Sequence, residues 1–157
     1  MWLMTERSPT RTDESDIRKL VNRFANSFDL KDWPAMQTCL CAQLHTDYSD
    51  LRGTPPETIS NVRFVESRKQ ALEQLATQHL MSNHEIEIDG DTARATTSCV
   101  IFRRSARGEM LNTHCLYFFG LAREKDGWKI SAIKQKVLIN DGDTHIHRGI
   151  PRPKKHS

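Results

Sequence analysis

The hydrophobic period of this chain changes once along its length, near residue 77, and that change decides what it can fold into. Before it, apolar residues recur at steps of three and four; after it, they recur at steps of two. Such a pattern puts helices first and a sheet afterwards, an α+β order with the helices gathered on one face of the sheet. From Asp13 onward, Ile17, Leu20, Val21, Phe24, Ala25 and Phe28 write one buried stripe on an amphipathic helix, with Thr12 or Asp13 as its cap. Lys31-Asp32 interrupts it. Trp33-Pro34-Ala35-Met36, with Leu40, predicts a second short helix, Pro34 being tolerated in a first turn. A short strand over 44–48 ends in the turn chemistry of Gly53-Thr54-Pro55-Pro56. Val62, Val65, Ala71, Leu72, Leu75 and Ala76 predict a third helix over 61–76, with Arg63, Lys69 and Gln70 on its wet side.

Four alternating segments follow, 78–88, 92–104, 109–122 and 127–139, parted by Asp89-Gly90-Asp91, Ser105-Ala106-Arg107-Gly108 and Lys125-Asp126-Gly127. Each break is a Gly-containing hairpin turn, so the strands form an antiparallel meander. The alternation slips twice. Leu80, Ile86 and Ile88 share a face, which turns His79 and Met81 away from the core unless a bulge near Ser82-Asn83-His84 shifts the register. Likewise Trp128, Ile130 and Ala132 give way to Ile133, Val137 and Ile139, one residue out of step. Two slips predict a bent, cone-like sheet.

A length of 157 residues predicts one domain and excludes two separate catalytic ones. Its expected parts are an N-terminal arm over 1–12, the cone domain over 13–140 and a basic C-terminal tail over 141–157. Lys and Arg number 23 against 20 Asp and Glu, a net charge of +3, and Arg152, Lys154 and Lys155 of the tail account for that excess. The near-neutral body lacks the clustered positive field that a nucleic-acid partner demands. No run reaches 18 apolar residues, and Met1-Trp2-Leu3-Met4 is too short for a signal core, so no membrane partner is expected and a cytoplasmic location is. Cys99 and Cys115 lie in apolar runs, and Cys39 and Cys41 stand one residue apart, the usage of reduced, partly buried thiols. Neither Cys39, Cys41 and His45 nor the His145-x-His147 pair has the spacing of a metal site, so no metal is expected.

Asp29 is the first residue with chemistry in it. It follows Phe28 and lies four residues after Ala25, so it either points inward from the last turn of the first helix or turns out to solvent beside Lys31. Inside, it would need a donor such as an imidazole N–H, because a helix C-terminus disfavours an anion. His79 opens the first long strand; alone it is a hydrogen-bonding group, and paired with a buried carboxylate it becomes an oriented base. Tyr48 either presents its phenol to a substrate oxygen or leaves it in water. His114 and Tyr117, with Asn83 and His84, are further polar candidates on the strands.

The stretch Phe24-Ala25-Asn26-Ser27-Phe28-Asp29-Leu30-Lys31-Asp32-Trp33, the strands Thr46-Asp47-Tyr48 and Thr77-Gln78-His79-Leu80, and the hairpin Lys125-Asp126-Gly127-Trp128-Lys129-Ile130 resemble the SnoaL-like group of the nuclear-transport-factor-2-like superfamily. The likeness runs over roughly residues 13–140 and is greatest to the scytalone dehydratases. It implies a cone of curved antiparallel or mixed sheet closed by three N-terminal helices, a pocket inside, and no cofactor. It also implies that Asp29 orients His79 as general base and acid while Tyr48 polarises a carbonyl. Phe28 stands where the family has a tyrosine, and no histidine stands near Phe102-Arg103, departures that point away from scytalone itself. The expected activity is a cofactor-independent dehydratase or isomerase acting on a carbonyl-bearing cyclic, polyketide-like or steroid-like molecule. Two other readings stay open: a non-catalytic protein binding a small apolar ligand, and a structural subunit resembling the small subunit of aromatic-ring dioxygenases. The test between them is whether Asp29 and His79 meet at about 2.6–3.2 Å in a pocket walled by Phe24, Phe28, Trp33, Tyr48, Met81, Val100, His114 and Phe118. A homo-oligomer, dimer or trimer, is expected to cover outer-face residues such as Leu116, Phe119, Ile133 or Val137, and residues 140–150 to pack through Ile146 and Ile150 over the mouth, the preferred place, or onto a neighbouring subunit.

Overall fold

A computed structural model describes residues 9–152 of the chain. The first helix, α1 (Pro9–Leu30), begins ahead of the cap expected at Thr12 or Asp13, because proline suits a first helical turn, where its missing N–H has no bond to lose. Residues 1–8 of the expected arm and 153–157 of the tail lie outside the described residues. The stripe Ile17, Val21, Phe24 and Phe28 is buried. Then come α2 (Trp33–Thr38), β1 (Leu40–Asp47), the single helical turn α3 (Ser49–Arg52), β2 (Glu57–Ser60) and α4 (Asn61–Leu72). Asp32 caps α2 through Ala35 N–H at 3.0 Å, and Ser60 caps α4 through Arg63 N–H at 3.2 Å. The elements α3 and β2 are too short to write a period, so they were not legible. The third helix stops at Leu72 rather than Ala76, since Ala76 already belongs to the next strand.

The meander is β3 (Ala76–Asp89), β4 (Thr92–Arg104), β5 (Met110–Glu124) and β6 (Gly127–Gly142). Six strands form one mixed sheet in the order β2-β1-β6-β5-β4-β3, with β1 parallel to β6 and every other pair antiparallel. Both phase slips are bulges. In β3 the register against β4 shifts between Ser82 and Glu85, where Asn83 adopts φ 53°, a left-handed conformation asparagine tolerates. His79 is thereby buried while Leu80 is exposed, and beyond the bulge Ile86 and Ile88 return to the core side. In β6 the partners of Gly120 and Leu121 are Ala132 and Ile130, so Ser131 is the extra residue. A second shift, between His114 and Cys115, bends the far end of the same strand.

The inner face of β4 carries Ala93, Ala95, Thr97, Cys99, Ile101 and Arg103, and that of β5 carries Leu111, Thr113, Cys115, Tyr117, Phe119 and Leu121, all buried. Phe119 and Ile133, expected on the outer face, belong to this inner one at 2% and 1% exposure. The outer face shows Leu80, Phe102 and Phe118 instead. All four cysteines are free and buried. After β6, a short 3₁₀ turn (Thr144–Ile146) lays Ile146 against the core and leaves His147 only 3% exposed. Among the described residues, no helix is long and apolar enough to cross a membrane.

Candidate active site

Asp29 owes its direction to the way α1 stops. Lys31 takes a left-handed φ of 55°, its N–H bonds Phe28 O at 3.2 Å, and Asp32 N–H bonds Ser27 O at 3.0 Å. This is the paired closure that ends a helix with a residue usually glycine. It leaves Asp29 in the final turn, facing β3. Its carboxylate lies at the negative end of the helix, an unfavourable place for an anion. Three donors offset that: His79 Nδ1–H to Oδ1 at 2.7 Å, the His79 backbone N–H to Oδ2 at 2.7 Å, and Thr77 Oγ1–H to Oδ1 at 3.0 Å. Lys31 Nζ donates in turn to Thr77 Oγ1 at 3.4 Å, which places a cation behind the carboxylate. Of the two dispositions open to Asp29, the inward one is realised.

The carboxylate accepts from Nδ1, so Nδ1 carries the ring proton and Nε2 keeps its lone pair. The imidazole side chain is 3% exposed and stacks on Phe28, with ring centroids 4.6 Å apart at 26°. Phe28, where the resemblance expects a tyrosine, thus serves as the flat wall of the base. Burial pushes the His79 pKa below its ordinary value; the hydrogen bond and charge of Asp29 pull it back up, and Arg103 and Lys31 depress it further. The neutral, proton-accepting form is therefore the resting one near neutrality.

His79 looks into a small cavity of about 20 Å³, whose walls include Phe28, Tyr48, Ile101, Tyr117 and Gln135 together with Arg52, Arg68, Arg103 and His147. A second cleft, of about 230 Å³, is lined by Thr46, Thr54, Glu57, Arg63 and Ser67 and shares Tyr48, Arg52 and Arg68 with the first. Of the expected walls, Phe28 and Tyr48 are in place. Phe24 and Trp33 pack in or against the core behind them, and Met81 sits one register step farther along β3. Val100, His114 and Phe118 fall on the opposite face of the sheet, because the strand period assigns the inner face to Cys99, Ile101, Cys115 and Tyr117. The expectation of an apolar lining is corrected as well: the walls carry three guanidinium groups.

The sequence reading missed those guanidiniums, although two had a signal. Arg68 lies on the buried stripe Phe64, Arg68, Leu72 of α4, at steps of four, and Arg103 continues the inward phase of β4. Gln135 likewise follows Ile133 by two. Arg52 and His147 had none, since α3 and the tail have no period. Tyr48 Oη, Arg103 Nε and Gln135 Oε1 are buried without a hydrogen-bond partner in the protein. Burial raises the Tyr48 phenol pKa, against the pull of the Arg68 guanidinium 4.2 Å above its ring, so its hydroxyl stays a donor at neutral pH.

Residues 9–134 match the SnoaL-like domain family. A scytalone dehydratase-like protein of Passalora fulva, claB, is 33% identical over 57 residues, a match spanning 36% of this chain and 35% of that protein. Among solved structures, Kfla4162 of Kribbella flavida superposes with a TM-score of 0.83 at 22% identity, covering 87% of this chain and 97% of the other. A candidate scytalone dehydratase from Novosphingobium aromaticivorans gives a TM-score of 0.74 at 11% identity, covering 94% and 97%.

Proposed function

The chain belongs to the SnoaL-like domain family, and from that premise we propose that it is a cofactor-independent dehydratase or isomerase using the Asp29–His79 pair for acid–base catalysis on a carbonyl-bearing cyclic molecule. The observation that carries the proposal is the 2.7 Å bond between His79 Nδ1 and Asp29 Oδ1 at the wall of a small cavity. In this reading His79 Nε2 takes a proton from the carbon α to a carbonyl, and the Asp29 carboxylate holds the ring in place and stabilises the imidazolium that forms. The unpartnered Tyr48 hydroxyl donates to the oxygen on which enolate charge develops. The imidazolium then returns its proton either to a leaving hydroxyl, releasing water, or to another carbon of the same molecule. A positioned base supplies about 10²–10⁴-fold, and donors preorganised toward the enolate oxygen supply a further large share.

The cavity beside His79 is small, about 20 Å³, and Tyr48, Arg52 and Arg68 line both it and the neighbouring cleft, so a substrate of more than a few atoms reaches His79 past those shared side chains. That filled cone is the observation favouring a second reading, a chain without turnover that binds a small ligand or serves as a structural subunit. The deciding experiment incubates the purified protein in D₂O with a panel of cyclic β-hydroxy ketones, following enone absorbance and deuterium uptake at the α-carbon. The catalytic reading expects water loss or exchange that disappears in His79→Gln. Equal inertness of wild type and variant across the panel would favour the second reading.

A further inference from the structure

Arg52, Arg68 and Arg103 converge on the cavity beside His79, and among the described residues no carboxylate pairs with any of them. Arg68 and Arg103 are 6% and 4% exposed. Among the described residues, none of the ion pairs within 4.0 Å involves any of the three. Their polar contacts are neutral: Arg52 and Arg68 each donate to Ser67 Oγ, at 3.2 and 3.3 Å, and Arg103 donates to Thr113 Oγ1 at 2.7 Å. Arg68 also lies over the rings of Tyr48 and Phe64, 4.2 and 4.1 Å from their centroids. A guanidinium offers five N–H donors, and of the nitrogens of these three, Arg103 Nε is buried with no protein acceptor. Burying cations without a counter-charge is costly, and proteins do it rarely. Burial, and after it the repulsion of Arg68, lower the Arg52 pKa to about 9, and His147 is pushed to about 2 by burial and by the same three arginines. His147 Nδ1 accepts Gly149 N–H at 2.9 Å, which places its proton on Nε2 and makes it a donor too. Among the described residues, the only carboxylate lining either space is Glu57, an exposed residue of the outer cleft.

We propose that this arginine cluster binds a carboxylate of the substrate, so that the molecule processed at His79 is an organic acid carrying both a carboxylate and a carbonyl. The inference rests on the acid–base reading for the identity of the site and adds the substrate class to it. A planar carboxylate matches the paired N–H edges of a guanidinium, as phosphate oxygens also do, and the apolar walls Phe28 and Ile101 beside the cluster favour an organic anion over inorganic phosphate. Held there, it would supply the missing counter-charge and anchor the substrate, leaving the Tyr48 hydroxyl free for the carbonyl oxygen. The nearby positive charge also favours an enolate forming at His79.

The test uses benzoate as probe, with benzamide as its neutral isostere and inorganic phosphate as a tetrahedral anion, read by calorimetry and by thermal melting of the full chain. Saturable benzoate binding that benzamide and phosphate do not match, reduced at least tenfold in Arg103→Met and Arg68→Met, is the expected result. Without ligand, Arg103→Met should melt no lower than wild type, since it removes a buried unpaired cation; this keeps loss of binding separate from loss of fold. His79→Gln should still bind benzoate, so a failed dehydratase assay with retained benzoate binding overturns only the catalytic reading. Absence of saturable benzoate binding, or equal binding of benzamide or phosphate, overturns the carboxylate assignment even if neutral ketones are turned over.

Discussion

Replacing Asp29 by Asn removes the charge of the proposed orienting group while keeping its shape, and the outcome follows from which donors it faces. Oδ2 faces the backbone N–H of His79, a donor that cannot change, whereas Oδ1 faces Nδ1 and the Thr77 hydroxyl, which both can. If the Asn amide NH₂ took the Oδ2 position, two donors would meet and a buried N–H would lose its partner, at about 1–3 kcal/mol. If it takes the Oδ1 position, the imidazole changes tautomer, Thr77 rotates to accept, and every group is satisfied. The second arrangement therefore dominates by about 5–150-fold. It moves the ring proton to Nε2, so the atom that should act as base no longer has a lone pair. The same exchange in Ser-His-Asp triads lowers turnover by about 10⁴ through this tautomer change, and a loss of about 10³–10⁴ is expected here. Long-range proton–nitrogen NMR of the ¹⁵N-labelled protein reads the tautomer without any substrate. Wild type should show a protonated Nδ1, and Asp29→Asn a protonated Nε2 with His79 titrating lower still, since only burial and the cations remain. An Asp29→Asn protein that keeps Nδ1–H would refute this chain of reasoning.

Acid lability should appear well above the carboxylate range. His79 and His147 have folded pKa values below the unfolded value of about 6.5, so the unfolded chain binds more protons and stability, full above that pH, falls as pH drops through it. Each histidine contributes a slope of up to about 1.4 kcal/mol per pH unit; urea melts from pH 7 to 5 should show the decline, and His147→Gln should make it shallower, whereas flat profiles would contradict the burial argument. Tyr48→Phe removes a hydroxyl with no protein partner, so stability should change by less than about 0.5 kcal/mol while turnover falls about 10–10³-fold; a clear drop in melting temperature would show that the phenol serves the fold. Asp13 receives both Arg123 terminal nitrogens at 2.8 Å and Trp128 Nε1–H at 3.1 Å, and Asp13→Ala should cost about 1–3 kcal/mol by leaving that buried indole N–H unpaired, with an unchanged denaturant midpoint as the refuting result. For the exposed outer face bearing Leu80, Phe102 and Phe118, we propose a second copy of the chain as cover; light scattering should give a multiple of 18.1 kDa that Phe118→Glu reduces, and a monomeric wild type would end the proposal.

The parts of this molecule legible in its sequence are those where one physical rule acts over many residues. A stripe from Ile17 to Phe28 is repeated often enough to fix both the helix and its buried side. The four hairpin strands are equally redundant, and even their bulges at Ser82–Glu85 and Ser131 leave a trace, because one inserted residue turns every later side chain over. Legibility fails where a choice rests on a single contact. Whether the lone Asp29 carboxylate met His79 depended on the helix closing at Lys31 in a left-handed conformation, a position with no glycine to announce it. The wall residues differ for another reason: hydrophobic character alone points to Val100 and Phe118, whereas the strand phase turns Ile101 and Tyr117 inward. Hydrophobic character alone also hides the arginines. A charged residue on a buried stripe looks like an error in the pattern, yet Arg68 and Arg103 hold the apolar phase of their elements. Those departures, where burial and charge conflict and no neighbouring residue resolves it, mark the positions at which the fold carries a cost that its own packing does not explain, and a bound anion is what would explain it.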